Sequence, residues 1–394
     1  MKFEFAAPGR IVFGPGSLVE VGPAAASLAS ASASAGALAP RVLVVSGRST
    51  SRAAPLLASL EAAGLACERF EIANEPRFED ARAALALARA ADCRLVVGFG
   101  GGSAIDLAKA VAVLLANPGD PLDYAEVIGG GRALLEPSFP CIAIPTTAGT
   151  GSEATRNAVL ASPEKGAKAS LRSPTMLPRL AIVDPELCYG LPPRLTAETG
   201  MDALAQLLEP LVCSSPNILV DAICREALPR AIASLPRAYR DGGDRAAREG
   251  MAFASLAGGL ALANARLGAV HGIAAPLGGA FPIPHGAACA ALLSPVATVN
   301  VAALRARDPE SRVLERYAEV ARLLTATPSV GPEDAGPALG KLAEELGVRG
   351  LGGYGLKKKD FSEIARKAAA SSSMRGNPIP LLPEELMRIL EAAL

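Results

Sequence analysis

Tryptophan is absent from these 394 residues, aromatic side chains make up only 4% of them, and histidine occurs twice. With so few aromatic rings the chain lacks platforms on which successive bases could stack. It also lacks a charge bias: 39 Lys and Arg face 39 Asp and Glu, for zero net charge with histidine neutral. No Lys/Arg cluster stands out, so no nucleic-acid partner is expected. Every run of eighteen residues is interrupted by charges or by Pro/Gly breakers, and the start, Met1-Lys-Phe-Glu-Phe5, has no apolar signal core. No membrane partner is expected on those grounds. Cysteine is sparse as well. Cys67, Cys93, Cys141, Cys188, Cys213, Cys224 and Cys289 are odd in number, scattered and free of any C-x-x-C pair. That usage fits free thiols in a reducing, cytoplasmic compartment, with Cys93 and Cys141 as core filler beside apolar runs.

What is present is enough apolar residue, 50% of the chain, to bury a large core in two or more domains. The first half alternates short apolar runs with helical stretches. Arg41–Val45, Arg94–Gly98, Cys141–Ile144 and Leu180–Val183 read as buried strands, and Ala81–Ala91 and Ser103–Leu115 as helices. Such alternation predicts a parallel sheet covered on both faces. Beyond Leu191-Pro-Pro193 long Ala/Leu-rich helical patterns take over, so we divide the chain into an α/β domain, 1–190, and an all-α domain, 191–394. The Ser/Ala tract from Ser27 to Ala39 reads as a loop or frayed helix.

Two loops follow predicted strands. Val96-Val-Gly-Phe-Gly-Gly-Gly-Ser103-Ala-Ile-Asp106 is a strand, a glycine run and a helix start. Gly100, Gly101 and Gly102 would let backbone approach a ligand, and a helix N-terminus suits a diphosphate. Ser103 could equally be an N-cap, with Asp106 closing a capping box. The run matches neither the Gly-x-Gly-x-x-Gly fingerprint nor a P-loop. The second loop, Thr146-Thr147-Ala-Gly-Thr150-Gly-Ser152, lies at a strand's C-terminal end, where ligands of open α/β sheets bind. It could also be a plain turn in which Ser152 or Glu153 caps the next helix.

Both histidines fall in one segment. On a single straight helix His271 and His285 would stand about 21 Å apart, too far to share an ion. Pro276, Gly278, Gly279, Pro282 and Pro284 lie between them, so the segment reads as helix, reversal, helix, which can bring two imidazoles together. Asp202 and Gln206 are spaced i, i+4 on one face of another predicted helix. Asp202 could also cap that helix or sit in its first turn. The four residues make a candidate metal set.

In these pieces, with Ala181-Ile-Val-Asp-Pro-Glu-Leu187, Thr196-Ala-Glu-Thr-Gly-Met-Asp-Ala203 and Met374-Arg-Gly-Asn-Pro378, the chain resembles the iron-containing (group III) alcohol dehydrogenase superfamily. The pieces occur in family order over nearly the whole length. The resemblance implies an N-terminal Rossmann-like α/β domain and a helical C-terminal domain, an architecture shared with dehydroquinate synthase. It implies an oxidoreductase that moves a hydride reversibly between NAD or NADP and a small alcohol, aldehyde or ketone. One divalent metal, iron or zinc, would assist. Gly100 to Ser103 would hold the pyrophosphate, with Asp106 beside them. Thr146, Thr147 and Thr150 would line the nicotinamide side, and Lys168 would lie near the ribose. Asp202, His271 and His285 match metal ligands with catalytic roles. The family is further expected to form homo-oligomers, here through the edge at Met1 to Phe13.

Two positions depart from the pattern. Gln206 stands where the family usually has a histidine, and Ala275 where it often has another. A neutral amide is a poorer transition-metal ligand than imidazole. The departures motivate an alternative, a metal-independent reductase of the maleylacetate reductase type. A dehydroquinate synthase-like lyase and a nucleotide-binding protein without catalysis are the remaining readings. Gly47 replaces an acidic residue common in NAD-specific members, and with Arg48 next to it NADP is a plausible cofactor.

Overall fold

The computed structural model describes residues 2–31 and 41–394. The chain forms two compact units. One comprises Ala7–Thr147 and Gly151–Cys188; the other comprises Tyr189–Leu394 together with residues 2–6 and Ala148–Thr150.

The first unit carries β1 (Ile11–Phe13), α1 (Val21–Ala31), β2 (Arg41–Gly47), α2 (Thr50–Ala62), β3 (Ala66–Ile72), α3 (Phe78–Ala90), β4 (Cys93–Gly100), α4 (Gly102–Ala116), β5 (Cys141–Pro145), β6 (Asn157–Ser162), β7 (Ala167–Arg172) and β8 (Leu180–Val183). Six strands form one sheet in the order β1-β8-β5-β4-β2-β3, and every pairing is parallel. The central strands are apolar at consecutive positions, and Val42 to Val45 and Leu95 to Val97 are fully buried. They are apolar on both sides because helices cover both faces, as a parallel sheet requires. One face packs α3 and α4 through Leu85, Leu107 and Val111. The other packs α1 and α2 through Ala25, Leu56 and Leu60. α1 takes in Ser27 to Ala31, and the remainder of the Ser/Ala tract lies outside the described residues.

Helix α4 lies directly on β4. A Cβ on Gly98 would stand 2.9 Å from the Ala108 Cβ, and one on Gly100 would stand 2.7 Å from the Ala104 Cβ. Glycine in the strand and alanine in the helix are one packing solution: with no side chain on one side and only a methyl on the other, the helix start comes down to the strand end. Asp184 explains a further motif. Its carboxylate accepts from the backbone N–H groups of Gly16, Leu18 and Glu186, which ties the turn after β1 to the end of β8.

The antiparallel hairpin of β6 and β7 is absent from the sequence-based reading. Its strands alternate buried and half-buried positions, a weaker signal than the continuous apolar runs of the main sheet. The hairpin also replaces the helix expected after Ser152. Ser152–Ala154 is a single 3-10 turn, and the chain passes from it into β6.

The second unit is helical: α5 (Pro193–Val212), α6 (Ile218–Arg240), α7 (Arg245–Asn264), α8 (Ala269–Ala280), α9 (His285–Arg307), α10 (Arg312–Thr325), α11 (Ala335–Glu345), α12 (Phe361–Ala369) and α13 (Pro383–Ala392). α5 is the axis of this bundle. It is buried without a break from Gly200 to Val212 and packs against α6, α7 and α9. α9 is long and apolar enough to cross a membrane, but 67% of that window is buried inside the protein. Its apolarity is that of a bundle core helix.

Candidate functional site

The histidine segment turns as its composition predicts, though by fewer residues. Pro276, Gly278 and Gly279 are accommodated inside α8, and the break is confined to 281–284, where Pro282 and Pro284 stand. Pro284 immediately precedes the first residue of α9, where a proline costs no helical hydrogen bond. The reversal places the His271 and His285 ring centroids 5.4 Å apart.

α5 supplies the acidic side of the cluster. Asp202 lies midway along it and 1% exposed, so it neither caps the helix nor sits in its first turn. Its Oδ1 is 3.3 Å from His271 Nε2 and 3.8 Å from His285 Nε2, yet accepts no hydrogen bond. Gln206, one turn on, also buries its Oε1 without a partner. Buried polar oxygens are normally satisfied, so the unsatisfied Asp202 oxygen, which faces two imidazole nitrogens, points to a missing electrophile. Burial alone would push the Asp202 carboxyl up. The charges of His285 and His271 and the Gln206 amide outweigh it and hold the group down at about 2. The reverse acts on the imidazoles. His271 is raised well above its ordinary value despite burial, by Cys289, Glu209 and Asp202. His285, beside Cys289 and Asp202, is raised to about 9. Both imidazoles are thus shifted toward their protonated form by the acidic groups that face them.

Two members escaped the sequence reading. Cys289 lies one turn beyond His285, and its Sγ is 3.7 Å from His285 Nε2 and 3.9 Å from His271 Nε2. Asp202, His271, His285 and Cys289 each offer one ligand atom, all within 4.8 Å of one another. Glu209, two turns beyond Asp202, takes His271 Nδ1 at 2.6 Å on Oε2 and the Val270 N–H at 2.7 Å on Oε1. An acceptor on Nδ1 leaves Nε2 facing the cluster, the usual arrangement behind a metal-ligating imidazole. The i, i+4 and i, i+7 spacings are in the sequence, but nothing there distinguishes them from ordinary core positions. Ala275, one turn after His271, is exposed.

The C-terminal Met374–Pro378 motif has a supporting role. Gly268, the N-cap of α8, has no side chain with which to cap the helix. Instead Asn377 Oδ1 accepts the Ala269 N–H at 3.1 Å, while its amide donates to Asn300 Oδ1 and the Ile379 carbonyl. Helix α8, and His271 with it, is anchored by residues more than a hundred positions away.

In the first unit, α4 starts at Gly102 with Gly101 as N-cap and no side-chain cap. The expected Ser103 cap and Asp106 capping box are therefore corrected. Ser103 is inside the first turn, and Asp106 accepts from the Ser152 hydroxyl and from the Val159 N–H at 2.9 Å. Lys109, fully buried, donates to the Ser152 carbonyl and the Thr155 hydroxyl and lies 3.2 Å from Asp106. This buried network fastens the glycine loop's helix to the threonine loop. Thr146 donates its N–H to the Gly100 carbonyl at 2.9 Å, and the Thr147 side chain lies against Gly101. Gly100, Gly101, Thr146 and Thr147 thus form one surface at the carboxyl ends of β4 and β5. Thr150 groups with the helical unit. Lys168, on β7, is paired with Glu75 at 2.5 Å. At the end of β2, Arg69 donates to Ser46 Oγ and to the Gly47 carbonyl.

Comparison with known proteins agrees with this architecture in both halves. Residues 8–185 match the family described as iron-containing alcohol dehydrogenase, and residues 196–394 match the C-terminal part of the same family. Alcohol dehydrogenase 4 of Saccharomyces cerevisiae is 35% identical over 319 residues, which is 81% of this chain and 80% of the yeast protein. The crystal structure of a 1,3-propanediol oxidoreductase superposes with a TM-score of 0.90 at 32% identity, with both chains covered in full. A sulfoacetaldehyde reductase from Bifidobacterium kashiwanohense, solved in complex with NAD+, superposes at 0.85 and 28% identity, covering 100% of this chain and 99% of that one.

Proposed function

Because the chain belongs to the iron-containing alcohol dehydrogenase family, and is an oxidoreductase of that kind, we propose that Asp202, His271 and His285 hold one divalent cation at which a small alcohol or carbonyl substrate is bound. The observation that carries this reading is the buried, unpartnered Asp202 Oδ1 facing two imidazole nitrogens. A carboxylate and two neutral imidazoles suit iron or zinc, and Gln206 stands one turn from Asp202 on the same helix. When bound, such a cation polarises a carbonyl and stabilises the alkoxide of the corresponding alcohol. The chain's own part is orientation. Glu209 fixes the His271 ring, α5 holds Asp202 out of water, and His285, whose side chain is 38% exposed, borders the approach to the cluster.

NAD(P) is assigned to the α/β unit, with its diphosphate at Gly100 to Ser103 and the α4 N-terminus. Thr146, Thr147 and Thr150 are assigned to the nicotinamide side, and Lys168 to the ribose. The Asp106 carboxylate acts by holding Ser152 and β6 in place. Gly47 presents no carboxylate to a ribose 2′-phosphate, and Arg48 is exposed next to it, so NADP(H) is accepted as well as NAD(H). β1 is an edge strand of the main sheet, the place for pairing with a second copy, and the free thiols suit a cytoplasmic protein.

The deciding experiment is elemental analysis of protein purified without chelator, followed by turnover of NAD(P)H with small aldehydes before and after chelation. About one iron or zinc per chain, with activity lost on chelation and regained on reloading, is the expected result. Full activity in the metal-free chain would instead favour the metal-independent reductase that Gln206 and Ala275 suggest. Asp202→Ala and His271→Ala should each abolish turnover while leaving cofactor binding intact; near-normal rates in Asp202→Ala would refute its metal role.

A further inference from the structure

We propose that Cys289 is a ligand of this cation, so that the site is Asp202, His271, His285 and a cysteine thiolate, and Gln206 is not the fourth donor. The proposal rests on the metal reading above and deepens it. Ligand spacing carries it. Around a tetrahedral ion with bonds of about 2.3 Å to sulfur and about 2.1 Å to nitrogen, sulfur and nitrogen stand about 3.6 Å apart, and nitrogen and oxygen about 3.4 Å apart. The sulfur–nitrogen separations here are 3.7 and 3.9 Å, and the nitrogen–oxygen separations are 3.3 and 3.8 Å. The sulfur therefore stands at ligand distance from both imidazoles without rearrangement. The sulfur contacts are at most those of a weak S–H donor, and the buried Asp202 Oδ1 has no hydrogen-bond partner, so the four atoms, all within 4.8 Å of one another, have the spacing of a ligand set.

Local structure leads to the same conclusion. Cys289 is i+4 from His285 on α9, so one helix face presents both donors, and the side chain is completely buried. Its burial is not that of an aliphatic position, since its nearest polar neighbours are the two imidazoles. Gln206 lies on the α5 side of the cluster. A neutral amide there contributes little toward a borderline cation, whereas a thiolate contributes both charge and softness. A position that lacks imidazole at 206 thus regains its fourth donor from a different helix. The resulting set favours thiophilic ions such as zinc and cobalt over hard ones such as magnesium.

The test is cobalt substitution. Chelator-stripped full-length protein is titrated with cobalt(II), and bound cobalt and the near-ultraviolet spectrum are read together. One cobalt per chain with a thiolate-to-cobalt charge-transfer band is expected. Cys289→Ser should lose the band and weaken cobalt affinity by about tenfold or more, whereas Gln206→Ala should keep the band and lose less affinity. X-ray absorption of the zinc-loaded wild type gives an answer independent of any variant: one sulfur neighbour at about 2.3 Å per zinc. Stoichiometric cobalt without the band, or zinc without a sulfur neighbour, would overturn the cysteine assignment and leave the metal site standing. A wild-type chain that binds no cobalt would overturn the metal reading, and this proposal with it.

Discussion

At the scale of single residues, what matters is how each buried ionisable group finds a partner. Glu209 acts on the cluster through α8, holding His271 Nδ1 at 2.6 Å and the Val270 N–H at 2.7 Å. Glu209→Gln keeps the shape and loses the charge. It should reduce metal affinity by about 10- to 100-fold, the usual cost of an outer partner, with a smaller effect on cofactor binding. Competitive titration against a chelator measures the first, and cofactor fluorescence the second. Glu153 illustrates the opposite case. It is 1% exposed, its Oε1 is unpaired, and burial, only partly offset by a backbone hydrogen bond and by Lys109, raises its carboxyl from 4.5 to about 7. A carboxyl raised in the folded state costs nothing below pH 4.5, where both folded and unfolded forms are neutral. The cost grows as pH climbs from 4.5 to 7 and is constant above that. Glu153→Gln should therefore match the wild type near pH 4.5 and exceed it by about 2–3 kcal/mol at pH 8. Denaturant unfolding at the two pH values checks this, and a difference that is the same at both would show that ionisation is not the cause.

At the scale of elements, function depends on helix starts held by distant residues. Asn377 accepts the Ala269 N–H and so caps α8 from outside. Asn377→Ala should destabilise the protein by about 1–2 kcal/mol, as loss of a cap does, and should also weaken metal binding, because His271 lies in the first turn of α8. A stability loss with unchanged metal affinity would separate the cap from the site. On the other unit, Gly100→Val would force α4 off β4, since even a Cβ would come within 2.7 Å of Ala104. Cofactor affinity should fall while metal content is unchanged, because all the cluster residues lie in the helical unit.

That separation shapes the expectations for the whole molecule. Asp202, Glu209, His271, His285 and Cys289 belong to one unit, so chelation should lower hydrogen-exchange protection in α5, α8 and α9 and leave β2, β4 and β5 unaffected. Loss of protection in the sheet would show that the metal also stabilises the other unit. The strand and helix order of that unit was legible because period and composition are local. Runs such as Val42 to Val45 are apolar on both sides whatever they pair with. The hairpin of β6 and β7 was not legible, because half-buried alternation across turns resembles ordinary loop sequence.

The sequence by itself determined the two-part division of its patterning, the run of parallel strands, the glycine loop after β4, and the likeness to one enzyme family. It also named Asp202, His271 and His285, because carboxylate and imidazole are conspicuous in a chain with two histidines. Only the tertiary structure decided that Asp106 is committed to Ser152 and Val159, that Glu209 orients His271, and that Cys289 stands 3.7 Å from His285. The physical reason is one of range. Spacing along a helix or strand is set by its own geometry and can be read from a single segment. Distances between segments follow from how buried faces pack, which depends on side chains far apart in the chain.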